Sequence, residues 1–200
     1  MNAILTGLKK RRSRYELKPD IPISDDQLAE LIGNIFKTMP SPMNSQSSRA
    51  VLLFGEDHLK LWRITLEEMK KTASEAGYAK GLKKVETSFQ SGYGTILFYE
   101  DGAIVRELEE KYPKYAHNFP VWSAQTSGMH QIAVWSALAD EGIGASLQHY
   151  NELIDERVRM EWNIPDQWKL YAQMPFGRAV DVPKEKDIKP LEERVIIHRG

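Results

Sequence analysis

One domain of mixed helices and strands is what the sequence predicts, and three observations carry that expectation. Helical periods alternate with short apolar, β-branched or aromatic runs at 50–54, 95–99 and 168–174. Each run is bounded by turn-forming residues, such as Gly55-Glu56-Asp57 after the first, Gly92-Tyr93-Gly94 before the second and Pro175-Phe176-Gly177 after the third. The 200 residues are 42% hydrophobic, enough for one substantial core or one unit of an oligomer, so 1–200 reads as a single domain.

Taken in order, residues 3 to 10 place Ile4, Leu5 and Leu8 at helical spacing and deliver a basic run, Lys9 to Arg14, to the helix C-terminal end. Ser24-Asp25-Asp26-Gln27 has capping-box spacing, and Leu28, Leu31, Ile32, Ile35 and Phe36 follow the helical period until Pro40. A polar loop, Pro40 to Arg49, leads into the strand 50–54. From His58 to about Lys84 the pattern is helical, with Leu59, Trp62, Leu66 and Met69 near one face and a second piece expected beyond Gly81. After the strand 95–99, residues 103 to 112 form a short charged helix closed by Pro113. Residues 120 to 141 are apolar on more than one face, which marks a central or interfacial helix with Gly128 offering close backbone approach. Within it, His130 and Gln131 read as core polar groups with local hydrogen bonds. Residues 152 to 162 make another amphipathic helix, 168–174 the third strand and 194–198 a final strand. That last strand follows an extended arm, so it pairs either with its own sheet or with a second subunit.

Bulk chemistry narrows the function. Lys and Arg number 27 against 28 Asp and Glu, so the overall positive field expected of nucleic-acid or anionic-membrane binding is missing. Cysteine is absent, which excludes disulfides and thiolate chemistry and fits a reducing compartment. The N-terminus lacks the order of a signal peptide and no apolar run is long enough to span a bilayer, so a cytoplasmic location is expected. Hydrolase elbows, zinc-protease motifs and phosphate loops are missing, and the five histidines show no metal-ligand spacing. Two classes stay open: a protein that borrows the reactivity of an organic cofactor, and a binding module with none. The basic run is either a solvated face or a phosphate clamp containing Ser13. The loop Pro40 to Arg49 is either a connector or a ligand loop. Gly142-Ile143-Gly144 follows a helix rather than a strand, so it serves better to end that helix and let backbone amides approach something flat than as a dinucleotide fingerprint.

Several motifs occur together in order. Arg11-Arg12-Ser13, Pro42-Met43-Asn44-Ser45-Gln46-Ser47-Ser48-Arg49, Phe119-Pro120-Val121-Trp122-Ser123, Gly142-Ile143-Gly144, Leu147-Gln148-His149-Tyr150-Asn151 and Gln173-Met174-Pro175-Phe176-Gly177 resemble the FMN-dependent nitroreductase family. Within it they resemble the subgroup named after the yeast fatty acid repression mutant protein. The resemblance runs from about residue 8 to 198.

It implies an α+β fold with a mostly antiparallel central sheet flanked by helices. It also implies a domain-swapped homodimer with FMN at each of two interface sites and a C-terminal arm, about 178–200, exchanging a strand with the partner. Carried over by residue, Arg11, Arg12 and Ser13 would hold the phosphate and Asn44 the flavin ring, with Gln46 beside it. Arg49 would lie near the flavin N1/O2 edge, with a structural salt bridge as the competing explanation. The backbone at Leu147, Gln148 and His149 would face flavin N5, so no side chain is assigned a catalytic role. Lys186 matches the tail lysine of the family; Ile188 stands where an arginine is usual, leaving Lys189 or Arg194 as substitutes. Phe119, Trp122 and Tyr150 would pack a flat substrate. The implied activity is ping-pong reduction of nitroaromatics, quinones or similar acceptors at the expense of NADH or NADPH. The alternative is a flavin-binding stress or lipid-signalling regulator of the same fold with weak reductase activity.

Overall fold

The computed structural model describes residues 2–200. Among the described residues seven α-helices and five strands follow one another as α1 (Ala3–Lys10), β1 (Leu17–Lys18), α2 (Asp25–Thr38), β2 (Ser48–Phe54), α3 (Gly55–Thr72), α4 (Glu75–Ser88), β3 (Gly94–Asp101), α5 (Gly102–Lys111), α6 (Phe119–Asp140), β4 (Gly144–Ala145), α7 (Asn151–Glu161) and β5 (Trp168–Ala179). The strands form one antiparallel sheet in the order β1-β5-β3-β2, with β4 also on β5. The α+β class and antiparallel sheet agree with expectation. Among the described residues no helix is long and apolar enough to cross a membrane.

β3 explains the layering. All eight of its residues are buried, because the alternation of side chains sends Ile96 and Phe98 to one face and Leu97 and Tyr99 to the other, and both faces are covered. On one side Leu97 and Tyr99 pack with Leu61, Trp62, Val85 and Ile154 of α3, α4 and α7. On the other, Ile96 and Phe98 pack with Leu28, Ile32, Val134 and Leu138 of α2 and α6. Burying such side chains is worth roughly 1.5–3 kcal/mol each.

The capping box of α2 is present, with Ser24 Oγ accepting from the Gln27 N–H at 3.2 Å and Gln27 Oε1 from the Ser24 N–H at 2.9 Å. His130 and Gln131 are buried and bonded within α6, His130 Nδ1 to the Thr126 carbonyl and Gln131 Nε2 to Ser127 Oγ, both at 3.0 Å.

Four expectations are corrected. The long helical stretch breaks at Ala73-Ser74 rather than at Gly81, because Ser74 accepts from the Gly77 N–H and so starts α4; Gly81 lies inside it against Met69. The third strand continues through Pro175 to Ala179. In β5 the Gln173 N–H donates to the Gln148 carbonyl, so the backbone groups of 175, two residues on, face that same side. The missing N–H of Pro175 therefore removes nothing from the β3 ladder. Gly128 is exposed, with nothing near the position of an added Cβ within the chain. Gly142 does end α6 at φ +76°, but a Cβ at Gly144 would run into Ala179 and meet Arg14 Cβ at 3.2 Å, so Gly144 serves strand packing rather than a flat ligand.

The last expected strand does not return to its own sheet. Residues 194–198 carry no ladder, and Val195, Ile196 and Ile197 are exposed after a short turn at Leu191–Glu193.

Candidate functional site

The basic cluster forms where α1 stops. Arg11 closes the helix, its N–H donating to the Gly7 carbonyl at 3.0 Å. Two residues later the chain docks on β4: Ser13 bridges to Ala145, and the Arg14 N–H donates to the Ala145 carbonyl at 2.9 Å. Arg11 and Arg12 are thereby held next to each other at the edge of the sheet. The Arg11 guanidinium stacks 4.3 Å from the Trp135 ring centroid, and Trp135 is itself fixed by donating to the Ala145 carbonyl at 3.2 Å. Arg11 Nε is buried without a partner, and burial, then the neighbouring Arg12 charge, pushes the Arg11 pKa below its ordinary value. Arg12 donates to the Lys184 carbonyl. A cavity of about 600 Å³ opens here, lined by Arg11, Arg12, Ser13, Lys184 and Lys186, with Glu16, Asp181 and Glu185 also on its wall. Asp181 is already engaged, by Arg14 Nε at 2.8 Å and the Tyr15 N–H at 3.3 Å. Among the described residues neither Arg11 nor Arg12 has a carboxylate partner. Two crowded guanidiniums outside any ion pair, with a serine and a tail lysine beside them, suit an anionic group such as a phosphate.

Alongside lies the turn 146–149. The Ser146 and Gln148 N–H groups donate back to β5, to the carbonyls of Pro175 (3.2 Å) and Gln173 (2.7 Å). By strand alternation the N–H groups of Leu147 and His149 face away from β5, available to a ligand on that edge. Gln173 locks the turn in place: its Oε1 accepts the Tyr150 N–H at 2.8 Å and its Nε2 donates to Asn151 Oδ1 at 2.7 Å, while Asn151 Nδ2 donates to the Tyr171 carbonyl at 2.7 Å. This clamp turns Tyr150 into the core, where its ring edges Trp62 and Phe89 at 6.1 and 6.3 Å and burial raises its pKa. The expectation that Tyr150 packs a substrate is thereby corrected. His149 is exposed.

The loop Pro40 to Arg49 contains a short 3-10 turn, Pro42–Asn44, and places Met43, Asn44 and Gln46 at φ 53°, 53° and 50°. Asparagine tolerates that region; methionine and glutamine adopt it at a cost of order 1 kcal/mol or more each, so the surroundings must enforce it. Part of the enforcement is local. Ser41 Oγ accepts the Gln46 N–H at 2.9 Å, and Arg49 donates to the carbonyls of Gln46 (2.7 Å) and Ser48 (3.0 Å) and to Asp101 (3.1 Å). The structural salt bridge is thus the role in which Arg49 is found. Asn44 stays exposed. The loop faces α6 across a cavity of about 420 Å³ bounded by Pro40–Met43 and Trp122, Gln125 and Met129. Phe119 does not reach that cavity wall; it is buried between Tyr112 and Trp122, at 6.1 and 5.3 Å.

The structure brings Arg11, Arg12, Ser13 and Lys186 together, and Ser13 reaches the turn through Ala145. It does not bring Asn44 and Gln46 to them. Ser48 pairs with Glu100, which pairs with Lys169, whereas Ala145 pairs with Phe176. Seven residues of strand, from 169 to 176, are roughly 23 Å. Lys189, Arg194 and Ile188 lie outside the lining of the anion cavity. Sequence reading missed Trp135, Lys184 and a buried carboxylate, Glu100, beneath the loop. Trp135 reads in the sequence only as one apolar position of a long helix, because its stacking on Arg11 joins two helices that the fold alone brings together.

An antiparallel sheet covered by helices on both faces, with a cationic cleft at one edge and a strained polar loop at the other, defines a protein of the α+β class. Residues 8–178 match the Nitroreductase family, and the chain belongs to that family. Two curated proteins of Saccharomyces cerevisiae are similar along nearly the whole length. HBN1 is 36% identical over 191 residues, 93% of this chain and 94% of its own, and the nitroreductase FRM2, the fatty acid repression mutant protein, is 32% identical over 184 residues, 91% of each. Among solved structures, nitroreductase CinD from Lactococcus lactis in complex with chloramphenicol superposes with a TM-score of 0.88 at 39% identity, covering 98% of this chain and 100% of that one. A nitroreductase with bound FMN from Desulfitobacterium hafniense shares the fold, with a TM-score of 0.71 at 16% identity over 100% of both chains.

Proposed function

We propose that the protein is an FMN-dependent NAD(P)H oxidoreductase, active as a homodimer, that reduces nitroaromatics, quinones or similar acceptors in a ping-pong cycle. The observation that carries this reading is the cleft at the end of α1. There Arg11 and Arg12 lack carboxylate partners, Arg11 Nε is buried and unbonded, and the Leu147 and His149 N–H groups face outward nearby. Such a site fits a ligand with a phosphate at one end and a hydrogen-bonding planar ring at the other. FMN bound there would supply two-electron redox chemistry between NAD(P)H and the acceptor.

The chain's own residues bind and orient. Arg11, Arg12, Ser13 and Lys186 hold the phosphate, and the backbone N–H groups at Leu147 and His149 point at the ring. Asn44 and Gln46 contact the ring from the loop. In one chain the loop and the cluster sit at opposite ends of the sheet, separated along β5 by roughly 23 Å of strand. A second copy therefore supplies the loop, and each site joins two chains. The exposed apolar surfaces support the same arrangement. Val121, Met129 and Ile132 line the outward side of α6, and Val182, Ile188, Leu191 and Val195 to Ile197 form an arm with no place in its own sheet. The CinD complexes with chloramphenicol and 4-nitrophenol favour nitroaromatics among the acceptors.

The test is direct. Purified protein should be yellow, bleach anaerobically with NADH or NADPH, and recover its absorbance on adding 4-nitrophenol. Flavin that stays oxidised with both donors would sink the reductase reading.

A further inference from the structure

Glu100 is the most deeply placed charged side chain near the loop, at 2% exposure on the face of β3 that looks toward α6. Three serine hydroxyls donate to it: Ser47 at 2.6 Å and Ser123 at 2.8 Å to Oε2, and Ser48 at 2.5 Å to Oε1. Among the described residues no cation pairs with it; Arg49, next to the cross-strand partner Ser48, is held by Asp101. Ser47 and Ser48 directly follow the last strained residue of the loop, Gln46, and Ser123 directly follows Trp122, which bounds the cavity facing that loop.

We infer that Glu100 is a positioning residue that fixes the loop Pro40 to Arg49 and the first turns of α6 in one frame, and so sets the gap in which an acceptor binds. A buried carboxylate must keep its hydrogen bonds, since each one lost exposes the full cost of desolvation. Glu100 has only the three serines to satisfy it, two on the loop and one on the helix. Neither element can then shift without stranding the charge, so the strained φ angles at 43, 44 and 46 and the position of Trp122 are coupled through one side chain. An apolar residue at 100 would fill the space but leave three hydroxyls unpaired and the two elements free to slide. This inference rests on the proposed reading of the loop as part of the ligand site.

The serines allow the two links to be cut separately. Ser123→Ala cuts the helix link and should raise KM for 4-nitrophenol about tenfold, the effect of one charge-assisted hydrogen bond, with kcat within about twofold and FMN content unchanged. The double variant Ser47→Ala/Ser48→Ala cuts the loop link and should weaken FMN retention about tenfold. Glu100→Gln should stay close to wild type in both, because the hydroxyl facing the new amide can turn to accept. Hydrogen exchange of the amides at 41–47 gives a readout independent of flavin, and the double serine variant should accelerate it about tenfold or more while β3 and β5 stay protected. Unchanged exchange, or variants that lose only thermal stability with KM and FMN retention intact, overturns the inference. Wild-type protein that takes up no FMN while the exchange prediction holds would instead overturn the functional reading alone.

Discussion

Replacing Arg11 with alanine should separate cofactor binding from folding. In the isolated chain the Arg11 guanidinium stacks on Trp135 but is otherwise held at a cost: its Nε is buried and unbonded, and burial and Arg12 both depress its pKa. Deleting it gives up a cation–π contact of about 0.5–1 kcal/mol and relieves both penalties, so stability without flavin should change by less than about 1 kcal/mol. Binding should change far more. A charge-assisted contact to a phosphate is worth about 1.5–3 kcal/mol, which converts to a Kd for FMN about 10- to 100-fold weaker. Adding Ser13→Ala should deepen the loss without unfolding the chain, because Ser13 bridges Ala145 through its backbone. Arg11→Lys should be intermediate, keeping the charge but losing the flat stack and the forked donors. The assay is fluorescence titration of flavin-free protein with FMN, run beside urea unfolding of the same samples. An unchanged Kd would refute the clamp. So would a loss of binding matched by an equal loss of folding stability, which would make Arg11 a structural residue.

Two further outcomes follow from the packing. His58 is buried in a chain in which the Trp62 indole N–H donates to Thr95 Oγ1 (3.0 Å), the Thr95 hydroxyl donates to His58 Nδ1 (2.8 Å), and Nε2–H donates to the Gln90 carbonyl (3.3 Å). Burial favours the neutral ring that this arrangement uses, pushing its pKa down from 6.5 to about 4. The unfolded chain takes up the proton near 6.5 and the native one only near 4, so stability present above pH 6.5 is lost as pH falls to 4, by up to about 3 kcal/mol. Urea midpoints between pH 7 and 4.5 should show that slope and His58→Gln should flatten it; parallel slopes would contradict the assignment. Truncation after Pro190 removes Leu191 and the exposed Val195 to Ile197, and sedimentation should then find monomers or poorly folded protein, whereas a flavin-loaded dimer would count against an exchanged arm.

What could be read in the sequence was local. The capping box of α2, the apolar runs of β2 and β3 and the successive residues Arg11 to Ser13 each carry their signal within a few positions. Pro175 misled because its missing N–H faces the short edge segment at 146–148 and not the β3 ladder, and side is a property of the sheet. Ser74 was hidden among alanines and lysines that look helical on both sides of it. The resemblance places Tyr150 against a substrate, yet Gln173, 23 residues on, holds its backbone N–H and its ring lies against Trp62 and Phe89. Glu100, written next to Asp101 and Gly102, reads as a solvated turn; only the β2–β3 register and the approach of α6 bring it three serines from 52, 53 and 23 residues away. The roughly 23 Å of strand that separates the loop end of the sheet from the cluster end is likewise a consequence of register, and it is why the proposed site draws on two copies of the chain.

Mixing two inactive variants tests that composite site most directly. Arg11→Ala damages the cluster and Asn44→Ala the loop, and each homodimer should retain little FMN. When the two are dissociated together and reassociated, half the dimers pair one variant with the other, and one of their two sites then combines an intact cluster with an intact loop. Roughly a quarter of all sites should therefore regain FMN and NAD(P)H-dependent bleaching. A mixture that regains neither, while both variants demonstrably exchange subunits, would contradict a site shared between two copies of the chain.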